Sequence, residues 1–307
     1  MGVEAAPALE LLDQADAVRE RLAEVREARG LAESGDPLPL DGFVDVTAIL
    51  DRSERHAVLE IGDLLEVAST LEASRRLSAH LTTHRERAER LARHCVPRSA
   101  AEAASLRDLE ELLRSCFEED GTLSDHASPQ LALLRAKVRS LRERLSRVVQ
   151  ELIEKHADVL QDSYFTVRDD RYVLPVRTDA HRRVHGIVHG HSGSGQTIYV
   201  EPREITSLGN ELVISQTEVA REEQRVLAEL SEEVRLRADV VARSIAGAKV
   251  ADLRASAGKL ADALGGAEPE ITEGEISLKG ARHPLLALDR SKVVANDVEL
   301  GTGSVLV

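Results

Sequence analysis

The sequence is short of the residues that usually fill thick globular cores. Aromatic residues make up 2% of its 307 positions, with three Phe, three Tyr and no Trp. Large rings dominate conventional cores, so a chain this long without them does not read as two compact globules. Leu, Ala, Val, Glu and Arg fill the chain instead. That is the composition of long helices packed along narrow seams. Cysteine is limited to Cys95 and Cys116, with no CxxC spacing, which argues against a disulfide framework or a zinc module. Both thiols read as small apolar residues of a reduced cytosolic protein. No stretch reaches the roughly 18 uninterrupted apolar residues of a membrane-spanning helix. Residues 1–16 are acidic and hold no signal-like apolar run, so the expected location is cytoplasmic, with no membrane partner. An excess of positive charge is also missing. Acidic residues number 54 against 40 basic ones, a net charge of −14, so any nucleic-acid contact must come from a local patch.

What is present is helical periodicity. Leu11, Ala15, Val18, Leu22 and Val25 predict a helix over residues 8–33, closed by Gly30, Gly35 and Pro37. A short helix is expected at 45–52, a longer one over 62–94 ending before Pro97, and another over 102–119. The clearest pattern is Leu131, Leu134, Val138, Leu141, Leu145, Val148 and Leu152. Their spacing alternates three and four over three heptads, which keeps one seam facing a partner helix. Ser128-Pro129 supplies the start of that helix, expected over 128–160.

The period then changes. Residues 171–177, 184–189 and 197–201 read as three strands, the last two joined as a hairpin through the turn at His191–Gly195. Pro175 marks the first as an edge or bulged strand. Helical periodicity returns over 204–264, so an outgoing helix, a β cap and a returning helix are expected, with the two seams burying each other. Residues 271–279 and the apolar run 303–307 resemble strands, and a chain that stops inside a strand reads as a fragment.

Residues 164–191 hold Arg168, Arg171, Arg177, Arg182 and Arg183 against three aspartates, a local charge of +2. Guanidinium forks match phosphate oxygens. The choice is between a phosphate-contacting face, with His185 added, and a solvated β surface with ordinary ion pairs. Arg182 and Arg183 are the leading candidates because no acid lies within two residues of either. His185, His189 and His191 have a spacing that invites a metal, but no Cys or carboxylate is placed with them in sequence, and no metal site is assigned. Ser192–Gly195 reads as a hairpin turn rather than a phosphate nest, since no Lys-Ser/Thr follows. Glu222-Glu223 and Glu232-Glu233 read as a solvated helix face, and no catalytic constellation emerges.

Several blocks then resemble the MutS family, nearest its recombination-suppressing, endonuclease-associated branch. They are residues 164–177, Gly186–His189, Ser192–Pro202, Asn210–Leu212, Gly280–Leu286 and Val293–Val298. The resemblance implies a mainly α fold. It consists of a helical core (1–127), an outgoing lever helix (128–163), a small antiparallel β clamp (164–203), a returning lever helix (204–265) and the first strands of an α/β ATPase domain (266–307). It implies a clamp that engages DNA, in recombination suppression or repair, or stalled ribosomes and RNA. His283, Val293, Val294 and Asn296 fall where the family packs residues around adenine. ATP, Mg and a homodimer are expected of an intact family member. This chain stops before the family's glycine-rich Walker A loop, so no cofactor and no ATP hydrolysis are expected of it alone. The competing reading is a structural coiled-coil or dimerisation protein that binds no nucleic acid.

Overall fold

The computed structural model describes residues 11–272, 275–288 and 293–301. The expected start of the first helix at residue 8 and the expected strand at 303–307 lie outside the described residues. The structure is mostly helical with a small antiparallel sheet, and it divides into two compact units. One comprises the chain up to Arg114 and from Ser231 onward. The other is Ser115–Leu230.

The first unit is built from α1 (Ala15–Glu33), α2 (Thr47–Glu54), α3 (Ile61–Thr83), α4 (Glu89–Cys95), α5 (Ala100–Ser115) and α8 (Ala238–Leu264). Its core mixes leucines with small residues, among them Ala28, Ala88, Ala92, Ala248 and Ala251. Small residues bring helix backbones close. At Gly247 of α8, an added Cβ would lie 2.1 Å from the His94 carbonyl oxygen, so only glycine fits there. A buried polar cluster ties three helices together. Glu24 of α1 accepts from Arg254 of α8 at 2.6 Å and lies 2.7 Å from His94 Nε2 of α4. Burial pushes the Glu24 carboxyl up, but the hydrogen bonds and charges of Arg254 and His94 outweigh it and hold the group below its ordinary value.

Two sequence expectations are corrected here. The single helix predicted over 62–94 is two, with a turn at residues 84–88. No glycine or proline forces that break. The Glu27 carboxylate on α1 accepts from the backbone N–H groups of Arg90 and Leu91 at 3.2 and 3.0 Å, so a distant helix caps α4. The single helix predicted over 204–264 is also two, α7 (Arg203–Leu236) and α8, parted at Arg237. The helix after Arg237 packs among α1, α3 and α4 of the first unit, so it does not extend the seam expected opposite 128–160. At 1.5 Å per residue the outgoing helix is only about 40 Å long, too short to cover a return of twice that length.

Within the second unit, α6 (Pro129–Lys155) starts at Ser128, whose hydroxyl accepts from the N–H groups of Gln130 and Leu131. It runs antiparallel to the first part of α7. Lys137 pairs with Glu218, and Lys155 with Glu204. Leu131, Val138, Leu141, Leu145 and Leu152 are buried as the heptads predict, but Val149 and Ile153 are buried where the pattern pointed to Val148. A straight helix of 3.6 residues per turn drifts off a 3.5-residue repeat, and the buried stripe moves with it.

The sheet has four strands in the order β1-β2-β4-β3. They are β1 (Thr166–Arg168), β2 (Arg171–Arg177), β3 (Gly186–His191) and β4 (Thr197–Pro202). Strand β1 was not anticipated. Its turn uses Asp169 and Asp170, both at positive φ. A tight hairpin demands that conformation at both residues, but the pair lacks the glycine that normally announces it. Pro175 lies in an interior strand, contrary to the edge expectation. It is tolerated because β1 pairs only as far as Val173, and the Pro175 carbonyl faces Gln161, which donates to it at 2.8 Å. The missing proline N–H therefore points away from β4. Leu174, Val176, Ile198 and Val200 pack with Leu145, Val149, Leu152, Ile205 and Leu212 into one core. In the first unit, β5 (Ile276–Ala281) and β6 (Asn296–Leu300) form a separate antiparallel pair around α9 (Pro284–Leu288).

Candidate nucleic-acid interface

The sheet has Leu174, Val176, Ile198 and Val200 on its core face, and alternation places their neighbours on the other face, where Val173, Pro175 and Glu201 are also buried. The strand register puts Arg168, Arg171, Arg177, Tyr199, Glu201 and Ile187 on that opposite face, and His189, at the bulge in β3, meets Glu201 there. Three of the five predicted arginines thus share a surface, but their partners differ. The Arg168 guanidinium sits 3.5 Å from the centroid of the Tyr199 ring, a cation–π contact, and has no ion-pair partner among the described residues. Arg171 donates to Asn210 Oδ1 at 2.6 Å and lies 3.5 Å from Glu201 Oε1. Glu201 is buried and also meets His189 Nε2 at 2.8 Å. Arg171 therefore fastens the sheet to the start of α7 and is not a free cation. Arg177 is paired with Asp179, which lowers the aspartate's pKa mainly through that hydrogen bond.

Arg182 and Arg183 sit on the 3-10 turn Thr178–Arg183 between β2 and β3. Arg182 is exposed and has no ion-pair partner among the described residues. Arg183 pairs with Asp158 at 2.7 Å, a carboxylate from a distant segment that the local sequence window could not reveal. His185 is exposed, and its carbonyl oxygen accepts from the N–H of Arg203. Among the described residues, no three His, Cys, Asp or Glu side chains converge on a metal position. The segment Ser192–Gly195 is a hairpin turn. Its backbone closes through Ser192 N–H to the Thr197 carbonyl at 2.8 Å, with Gly195 at φ +69°.

A second concentration of positive charge lies on α6, which sequence reading did not single out. Residues 129–155 carry seven basic and three acidic side chains, a net +4 in a chain of −14. Counting charge helix by helix would have found it. Arg135 is held by Asp125, Glu223 and the Leu123 carbonyl. Arg139 reaches Asp125 only at 3.4 Å. Arg142, Arg144 and Arg147 are exposed and lack ion-pair partners among the described residues. Glu222, expected on a solvated face, is instead buried. It accepts from the Ser128 hydroxyl at 2.6 Å and from Arg225 at 2.7 Å.

The predicted adenine-side residues belong to the β5–β6 segment. Asn296 pairs in register with Ala281, two residues before His283. His283, Val294 and Asn296 are exposed and Val293 is half-buried. Adenine needs enclosing apolar walls and a triphosphate needs converging donors. The described residues there supply neither, so they do not by themselves fit a nucleotide. Among the described residues, no helix is long and apolar enough to cross a membrane.

No protein-family model matches the chain. Curated relatives do, among them three each called Endonuclease MutS2. The one from Anaeromyxobacter sp. (strain Fw109-5) is 37% identical across 95% of this chain and 37% of its own length. That from Symbiobacterium thermophilum is 35% identical across 96% of this chain and 36% of its own length. A third, from Clostridium perfringens, is 35% identical across 92% of this chain. The chain thus spans little more than a third of the length of these relatives.

Proposed function

Since the chain belongs to the MutS2 branch of the MutS family, we propose that its second unit is a nucleic-acid-engaging arm. In this reading α6 and the first part of α7 are lever helices, and β1–β4 are the clamp they carry. The helices of the first unit are the core, and the β5–β6 segment is the start of an ATPase domain. The clamp holds the sugar–phosphate backbone of DNA, during recombination suppression or repair, or of RNA on a stalled ribosome. In this reading ATP, Mg and a homodimer belong to an intact family member, with His283, Val293, Val294 and Asn296 on the adenine side of its completed ATPase domain.

The observation that carries this reading is the positive charge without a carboxylate partner, among the described residues, on the sheet and on the turn between β2 and β3. Arg168 lies across Tyr199 and Arg182 has no carboxylate partner among the described residues, within a chain of −14. Phosphate contacts made this way position a protein without reading sequence. The test is fluorescence anisotropy with duplex, branched and RNA probes across a salt series. Binding should weaken steeply with salt. Arg168→Ala with Arg182→Ala should lower the slope of log K against log salt by about two, at roughly 0.9 per phosphate contact.

A second reading draws on the free edge of β3, where Ile187 and Val188 are each about half exposed. Unpaired strand edges promote self-association. Salt-independent dimerisation with no affinity for any nucleic-acid probe would favour a structural role over the clamp.

A further inference from the structure

We propose that the groove between α6 and α7, flanked by Arg139, Arg142 and Gln216, is a second phosphate-binding surface that seats the backbone of duplex DNA. The proposal rests on the nucleic-acid reading above, but it concerns residues away from the sheet. The groove has a volume of about 270 Å³ and is lined by Arg135, Val138, Arg139, Arg142, Gln216 and Val219. Every lining residue lies within the second unit.

The three arginines have different roles. Arg135 is committed to Asp125, Glu223 and the Leu123 carbonyl, so it anchors the floor. Arg139 is mostly solvent-facing, with a long 3.4 Å contact to Asp125 that a phosphate oxygen can replace. Arg142 is exposed and unpaired among the described residues. Spaced three apart, Arg139 and Arg142 stand on one helix face with Cβ atoms about 5–6 Å apart. Two forks at that spacing match neighbouring phosphate oxygens.

The lining also narrows the occupant. Its apolar part is Val138 and Val219, small surfaces suited to sugar carbons. No aromatic ring lines the groove. Single strands are held by base stacking on aromatic platforms, so a duplex with its bases paired is the matching ligand. Asp125, Glu218 and Glu223 stand nearby, each already paired with a cation of α6. They limit the site to the two outer arginines.

The test uses the whole chain and a fluorescent duplex DNA probe over a salt series. Arg139→Ala with Arg142→Ala should lower the slope of log K against log salt by about two, at roughly 0.9 per contact. Low-salt affinity should fall on the order of tenfold, equally for unrelated sequences. Arg139→Lys with Arg142→Lys should retain the slope, because charge is kept. Four results bear against the proposal. If the alanine pair keeps the parental slope while Arg168→Ala with Arg182→Ala loses it, the groove proposal fails and the sheet reading stands. If the lysine pair loses the slope as fully as the alanine pair, the effect is not one of charge and the proposal fails. If a single strand binds more tightly than the duplex and depends on the same two arginines, the duplex assignment fails. If the unmodified chain binds no nucleic acid, both readings fall together.

Discussion

The helical unit and the sheet-bearing unit bury their helices with different mixtures of side chains. In the helical unit leucines are interleaved with alanines and with Gly247, where backbones approach closely, and Glu24 and Arg254, 230 positions apart, are sealed together. In the sheet-bearing unit, leucines and valines of α6 meet strands and a helix that follow within about a hundred residues. The first depends on close backbone approach between remote segments, the second on apolar area along a continuous stretch. A truncation in the α6 seam should therefore loosen the sheet-bearing unit first, and an added methyl at Gly247 the helical unit first.

Leu145→Ala should have the largest effect. The side chain is fully buried in the α6 seam, and such truncations cost about 3–4 kcal/mol. Urea unfolding gives the size of the loss. Hydrogen exchange should quicken in 129–155 before it does in 61–83, and equal acceleration in both would erase the contrast between the units. Gly247→Ala comes next, because its Cβ would meet the His94 carbonyl oxygen at 2.1 Å. Overpacking of this kind costs about 2–3 kcal/mol, and a Tm equal to that of the unmodified chain would show that the helices can part. Ser128→Ala removes the cap of α6 and should cost about 1 kcal/mol, read by the same denaturation.

Acid should separate the units further. The Arg225 hydrogen bond first, and then the Ser128 hydroxyl, hold the Glu222 carboxyl at about 2 against an ordinary 4.5. A depressed folded value means that this group's contribution is complete above the ordinary value and is lost as pH falls towards the folded one. Glu222→Gln should therefore flatten stability against pH between about 4.5 and 2 in the sheet-bearing unit. The Glu24 cluster should continue to weaken the helical unit over the acid side of its own ordinary value. The smallest effect is a gain. Gly30 lies within α1 with open space where a Cβ would go, so Gly30→Ala should stabilise by about 0.5–1 kcal/mol.

The candidate site was legible in part, for local reasons. Arg171 and Arg177 lie on a strand whose alternation gives them one face, and periodicity reveals that much, whereas Arg168 joins them only through β1, which the sequence pattern does not show. Whether each remains free depends on side chains far along the chain. Asp158 pairs with Arg183, and Asn210 and Glu201 meet Arg171, partners far outside the local window that singled out Arg182 and Arg183. The arginines of α6 sit between the apolar positions that set its heptad pattern, so hydrophobic periodicity carries no sign of them.

Sequence alone determined the heptad seam of α6, its Ser128 start, the hairpin of β3 and β4, and the near absence of a ring-filled core, because each is written in residues within one or two turns of each other. Only the tertiary structure decided where long helices break and which charges stay open. The capping of α4 by Glu27, the parting of α7 from α8 at Arg237 and the burial of Glu222 depend on groups brought together across dozens to hundreds of positions. A local pattern holds no record of such partners, since hydrogen bonds and ion pairs form between neighbours in space.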